Sequence, residues 1–400
     1  MRPLTLRPTT AALLVGFCAL GPRGAAAQTP HGWDAFKDTF RAYVAADAVV
    51  GAAALVMRDG RVLDRLELGM ADRAAGVPVD SATLFHWGSI TKTLTAIAVM
   101  QLRDRGLLTL DDPVVDYVPE LRRVHDPYRA LEGITIRMLL SHTAGFMNPT
   151  WPYDEGHAWE PFEPTEWAQL VAMMPYQRLH FPPGSRYGYS NPAFIYLARI
   201  VEQLSGDSWE SYVHKNIFGP LGLTRSYFRA TPYHLAVDRS HNYHVRRDSL
   251  GAPVVIDNGA DFDPGITTPN GGWNAPLGDL ATYAAFLTGA APNDTILPSA
   301  ALQEMWRPVA PMTAGYQAGA GQWMGLSFFI LGEGEDRVLG HTGSQAGFRV
   351  FLFFNPRTRT AVIVAYNTAN TLASGEGAAR VQRAAVEMLR EGGRDAAGGR

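Results

Sequence analysis

Phe85-His86-Trp87-Gly88-Ser89-Ile90-Thr91-Lys92 runs straight into a segment whose apolar residues Leu94, Ile97, Ala98 and Leu102 recur at helical spacing, with Gly106 placed to end it. The pattern predicts a helix over residues 89–105. Only three lysines occur among the 400 residues, Lys37, Lys92 and Lys215, and one of them stands three positions after Ser89. Three residues is nearly one helical turn, so the hydroxyl and the amine share a face, and a helix N-terminus favours developing negative charge. This is the pattern of a Ser nucleophile with a Lys base, provided that burial lowers the lysine pKa. The ordinary reading is a Ser N-cap and a solvent-facing Lys. Chance supplies roughly 0.1 such pairs in a chain of this composition, so the motif needs support from elsewhere.

Upstream, residues 51–69 alternate apolar stretches around Asp59-Gly60, a dipeptide suited to a type I′ turn, and predict a hairpin of strands 51–58 and 61–68. Residues 107–290 hold helical patterns at 134–140, 192–204 and 208–217, broken by many Pro and Gly. After Gln322 the texture turns to short β-rich runs at 323–331, 337–340, 348–355 and 360–366, then a last helix over 375–391. Strands at both ends with helices between predict an α+β fold: one antiparallel sheet assembled from the two ends of the chain, flanked by helices, with an inserted mainly helical domain. The boundaries expected are 28–106 and 271–395 for the sheet-containing domain and 107–270 for the helical one.

Two further motifs stand in order along the chain. Tyr189-Ser190-Asn191 follows the loop formers Phe181-Pro182-Pro183-Gly184 and precedes a helical pattern, where a side chain projects into a cleft. His341-Thr342-Gly343 closes one β-run and opens onto the next. Ser-x-x-Lys, Tyr-x-Asn and His-Thr-Gly in this order resemble the serine β-lactamase and penicillin-binding protein superfamily, in its class C β-lactamase and D-Ala-D-Ala carboxypeptidase branch. Residues 85–88, Ile136-Arg137-Met138-Leu139-Leu140-Ser141-His142-Thr143-Ala144-Gly145 and Gly340-His341-Thr342-Gly343-Ser344 look like that family's surroundings. The resemblance covers nearly the whole chain after the expected leader 1–27 and implies the β-lactamase/transpeptidase-like fold. It further implies that Ser89 attacks a carbonyl to form an acyl-enzyme, that Lys92 takes its proton, and that the Tyr189 phenol passes protons to and from the leaving group. By the same resemblance Asn191 orients a substrate amide, the backbone N–H groups of Ser89 and Ser344 hold the oxyanion, Thr342 offers a hydroxyl to a substrate carboxylate, and Gly343 belongs to the same strand motif. One departure bears on substrate. Many β-lactamases of this branch carry Lys where this chain has His341, and a histidine is mostly neutral at neutral pH, so a fixed cation for a β-lactam carboxylate is absent unless Arg349 or another arginine replaces it. His here looks more like the D-aminopeptidase, carboxypeptidase and esterase members.

Glu160, Glu163 and Glu166 lie among Trp151, Trp159 and Trp167 but lack the glutamate-to-asparagine pattern of a deacylating loop; residues 148–181 read instead as a loop packed by its own aromatics over the cleft mouth. His234, His241 and His244 match no metal-ligand spacing, and no cofactor or metal is expected. There is no Gly-x-Ser-x-Gly elbow, phosphate loop or His-Glu-x-x-His. A formal charge of −3, from Lys+Arg 35 against Asp+Glu 38, excludes the basic stripe of a nucleic-acid binder. Arg2 and Arg7, the apolar run 11–20 and Ala25-Ala26-Ala27 have the order of a secretory signal, with cleavage expected after Ala27 and a periplasmic or secreted product. Cleavage removes Cys18, the only cysteine, and with it disulfides and thiolate chemistry. The run is about half of what spans a bilayer, so no membrane anchor is expected. The expected partner is a small ester, amide or D-amino-acid peptide substrate, with no obligate protein partner. A β-lactamase and a non-catalytic penicillin-recognising scaffold are the alternatives.

Overall fold

The computed structural model describes residues 28–147, 164–313, 319 and 321–398, the last six by their backbone only. The expected leader 1–27, with Cys18, and Trp151, Trp159, Glu160 and Glu163 lie outside the described residues. Nine strands form one antiparallel sheet: β1 (Gly51–Arg58), β2 (Arg61–Asp72), β3 (Val77–Pro78), β4 (Ala310–Pro311), β5 (Gln322–Met324), β6 (Phe329–Leu331), β7 (Val338–Gln345), β8 (Phe348–Asn355) and β9 (Thr360–Tyr366). Their spatial order is β3-β2-β1-β9-β8-β7-β6-β5-β4, so the two ends of the chain meet where β1 pairs with β9, Ala52 opposite Tyr366. The hairpin turn is as expected, with Asp59 and Gly60 at φ 49° and 75°, the double positive φ that type I′ requires.

β1 and β9 are apolar between their end residues because both faces of the sheet are covered there. On one face, Ala52, Ala54 and Val56 with Val362 and Val364 meet α1 (Trp33–Ala46) and the C-terminal helix, through Trp33, Phe36, Phe40 and Tyr43 on one side and Val381, Ala385, Met388 and Leu389 on the other. On the opposite face, Ala53, Leu55 and Met57 with Ala361 and Ile363 meet the helix Leu277–Leu287 and join the core that also holds α2 (Thr91–Asp104). Helix α2 is buried from Thr91 to Leu102, the pattern of a helix enclosed on all sides, and α3 (Pro192–Ser205) lies against it. Each large apolar side chain so enclosed contributes about 1.5–3 kcal/mol of transfer free energy.

The run 323–331, read as one strand, is two: β5 and β6 pair as a tight hairpin, Met324 opposite Phe329. Ser327 at φ 67° turns the chain, and Gly325 fits because a side chain there would come 2.4 Å from the Met305 carbonyl. Residues 107–270 also contain strands that periodicity did not signal: Tyr227–Phe228 pairs with Trp273–Pro276, which in turn pairs with Leu84–His86, while Tyr243–Arg247 lies between Thr368–Asn370 and Pro253–Asp257 and pairs with both.

Candidate active site

The chain enters α2 through a 3-10 turn, Gly88–Ile90, that carries Ser89. Trp87 anchors this turn by donating its amide to the Trp273 carbonyl (2.7 Å) and its indole N–H to the Ala275 carbonyl (2.9 Å). Thr91 Oγ donates to the Gly88 carbonyl (2.6 Å) and accepts the Trp273 amide (3.0 Å). Ser89 stays partly exposed on this rigid base, while Lys92, one turn on, is wholly buried. Lys92 Nζ lies 3.0 Å from Ser89 Oγ and donates to the Asn270 carbonyl at 2.8 Å. Burial alone pushes the ammonium well below its ordinary value of 10.5, and no carboxylate offsets it. Burial thus favours the amine form, and the geometry sets it beside a hydroxyl at the spacing the sequence called for.

Tyr189 precedes α3, and its ring centroid lies 5.0 Å from Lys92 Nζ. Asn191 is the N-cap of α3, ahead of Pro192, and its carbonyl accepts from Asn270 Nδ2 at 3.3 Å. Asn270 thus ties the lysine to the Tyr-x-Asn segment, a role no sequence signal announced because it works through a main-chain carbonyl.

β7 forms the opposite wall. Of β7 only Val338–Gly340 pairs with β6, so the remainder, His341 to Gln345, has β8 on one side and an edge unpaired among the described residues on the other. That stretch runs past the Ser89 turn at close quarters. A side chain at Gly343 would meet the Trp87 carbonyl at 2.2 Å, and one at Gly88, whose φ is 48°, would come 3.0 Å from the Ser344 amide nitrogen. The Ser344 N–H is thereby held beside the Ser89 turn. Thr342 is only 2% exposed and Arg349, paired with Ser344, is exposed.

His341 is buried, stacked on Phe329 (centroids 4.3 Å) and 6.3 Å from the Tyr189 ring. Its Nδ1 is 2.5 Å from the Thr342 carbonyl; a carbonyl only accepts, so Nδ1 carries the proton and Nε2 is left as a lone pair. Burial, with Lys92 second, pushes its pKa down to about 3. His86 is likewise buried, held by Asn274 (2.9 Å) and Gln345 (3.1 Å), and burial pushes it down to about 4. The walls around the amine are neutral. His142, quoted in the sequence pattern without a role, stacks on Tyr189 with centroids 4.4 Å apart.

Glu166 sits exposed at the start of helix Trp167–Met173, its amide donating to Gln169 Oε1 (3.1 Å), which is a capping geometry. Of the three downstream histidines, His241 lies in a cluster with Asp72 and Asp257 whose ligand-type atoms fall within 4.8 Å of one another. Its Nδ1 is 2.9 Å from Asp257 and its Nε2 3.5 Å from Asp72, so both nitrogens face carboxylates and the cluster ties the strand Pro253–Asp257 to β2. Among the described residues, no helix is long and apolar enough to cross a membrane.

The Beta-lactamase family model matches residues 36–387. The chain is 34% identical over 250 residues to Esterase EstB of Burkholderia gladioli, covering 56% of this chain and 61% of that protein, so the match spans less than two thirds of the relative. It is 31% identical over 324 residues to Penicillin-binding protein 4 of Amycolatopsis lactamdurans, covering 78% and 79%. Among solved structures, the octameric penicillin-binding protein homologue from Pyrococcus abyssi superposes with a TM-score of 0.70 at 27% identity, covering 84% of this chain and 73% of that one. With the family matched across the sheet, α2 and the buried amine alike, this chain belongs to the Beta-lactamase family.

Proposed function

We propose that the protein is an exported hydrolase that forms an acyl-enzyme on Ser89 from a small ester or D-amino-acid amide. The observation that carries this reading is the fully buried Lys92 amine 3.0 Å from Ser89 Oγ with no acidic partner. A neutral amine accepts the hydroxyl proton as Oγ attacks the substrate carbonyl. The backbone N–H groups of Ser89 and Ser344 receive the oxyanion, an interaction worth several kcal/mol in a water-poor cleft. The tetrahedral intermediate collapses by breaking the bond to the alcohol or amine, to which Tyr189 delivers a proton. Water then attacks the ester, and the acid leaves as Ser89 regains its proton. Asn191 and the edge of β7 orient the acyl group.

Neutral His341 supports an acyl donor without a carboxylate beside the scissile bond. The esterase name of one relative agrees with this, and the penicillin-binding name of the other keeps β-lactams as the comparison substrate. Export rests on the order of charged, apolar and small residues in 1–27. The test incubates purified protein with a p-nitrophenyl ester, a C-terminally amidated D-Ala-D-Ala peptide and benzylpenicillin, following turnover and covalent mass on wild type and Ser89→Ala. Ester or D-peptide turnover that falls by about 10³-fold or more in Ser89→Ala is expected. Full turnover by Ser89→Ala refutes the acyl-enzyme, and penicillin turnover exceeding both others refutes the substrate assignment.

A further inference from the structure

We propose that His142 is the positioning residue of Tyr189, gripping the peptide on both sides of the phenol and its ring at once. The inference rests on the reading of Tyr189 given above. The His142 carbonyl accepts the Gly188 amide at 2.8 Å, and its Nδ1 accepts the Ser190 amide at 3.0 Å. The residues before and after Tyr189 are therefore tied to one residue, and the imidazole stacks on the phenol at 4.4 Å and 29°. Phe194 and Tyr187 close the other sides of the imidazole, at 5.1 and 6.0 Å.

This double grip depends on an uncommon backbone. His142 has φ 57°, just past the helix Ile136–Leu140, a region that few non-glycine residues occupy. Such conformations persist where the surroundings over-determine them, and they cluster at working sites. The grip also depends on protonation. An N–H donated to Nδ1 requires a lone pair there, so the proton of the neutral ring sits on Nε2. An imidazolium would carry a proton on both nitrogens and break the bond to Ser190. Burial, then the nearby Lys92 and His341, hold the ring well below its ordinary value and keep Nδ1 an acceptor. The imidazole Nε2–H has no hydrogen-bond partner among the described residues, so the ring is held by the Tyr189 segment rather than by a second anchor.

The test is a double-mutant cycle read on p-nitrophenyl ester turnover, with circular dichroism and thermal melts to establish folding. Misplacing a reacting group by about 1 Å costs about 10²-fold, so His142→Leu is expected to lower kcat by roughly 10- to 100-fold with KM changed less than about threefold. His142→Asn, whose Oδ1 stands where Nδ1 was and whose backbone tolerates positive φ, is expected to recover most of that loss. In a Tyr189→Phe background, His142→Leu should cost nothing further, because the group it positions is gone. If His142→Leu fails to fold, His142→Phe, which keeps a ring but no acceptor, takes its place. An equal loss in both backgrounds, or no recovery by Asn, overturns the proposal. Full turnover by Tyr189→Phe would instead remove the role of Tyr189 itself, and with it any need for a positioning residue.

Discussion

Replacing Lys92 by Met separates what the amine does for chemistry from what it does to stability. In the folded protein the side chain is wholly buried and burial holds its pKa well below 10.5, while in the unfolded chain it titrates near its ordinary value. Between the two values the unfolded state binds one more proton, so stability rises with pH by about 1.4 kcal/mol per unit and falls as pH falls. Methionine fills nearly the same volume without a titrating group and carries no such slope. Two opposing effects follow. Loss of Nζ leaves the Asn270 carbonyl without its donor, costing about 1–3 kcal/mol at every pH. Removal of the buried base gains about 1.4 kcal/mol for each unit the pH is lowered. Guanidinium unfolding of wild type and Lys92→Met at about pH 7.5 and about pH 9 isolates the second effect, since the buried histidines are neutral in both states there. The stability difference should move by about 2 kcal/mol across that window, in favour of Met at the lower pH, and the variant should lose ester turnover. A difference that stays constant between the two pH values refutes the neutral-amine reasoning, whatever happens to activity.

Acid should unfold the protein early. His86, His142 and His341 are all held below 6.5, burial being the first cause in each, so their contribution is fully present above pH 6.5 and lost as pH falls. Together they withdraw up to about 4 kcal/mol per pH unit between about pH 6 and about pH 4.5, and native circular dichroism retained at about pH 3 would contradict this. Gly343→Ala places a methyl 2.2 Å from the Trp87 carbonyl and 2.6 Å from Val350 Cγ2. The strand must move off the Ser89 turn, so acylation of Ser89 by a p-nitrophenyl ester should slow by about 10²-fold, with a lowered melting temperature; wild-type acylation would show that the close approach is dispensable.

How much of this was legible in the amino-acid order varies with the physics involved. The hairpin 51–68 announced itself because Asp59-Gly60 has a local conformational preference, and the bounds of β8 and β9 came through because Asn355-Pro356 punctuates two apolar runs. The pairing of Ala52 with Tyr366 did not, because strands buried on both faces lack the alternation that marks a register. The break inside 323–331 arises from Gly325 fitting under the Met305 carbonyl, a contact made only after folding. Ser89 and Lys92 were readable since helical spacing alone brings them together, whereas the lowered lysine pKa depends on which residues enclose it.

The site's least legible parts share one property. The Asn270 carbonyl that receives the lysine, the Ser344 amide beside the nucleophile and the His142 carbonyl that holds Gly188 are all main-chain groups, which every residue type carries except that proline lacks the N–H. Apart from proline at 344, no substitution at those three positions removes them. Their placement is set instead by neighbours that permit a close approach or an unusual φ: Gly343 against Trp87, Gly88 at φ 48° and His142 at φ 57°. Side chains supply the nucleophile and the base, and the backbone supplies most of what orients them. Substitutions that shift main chain, at Gly343 or His142, therefore probe the positioning half of this site, which truncating Ser89 or Lys92 leaves untouched.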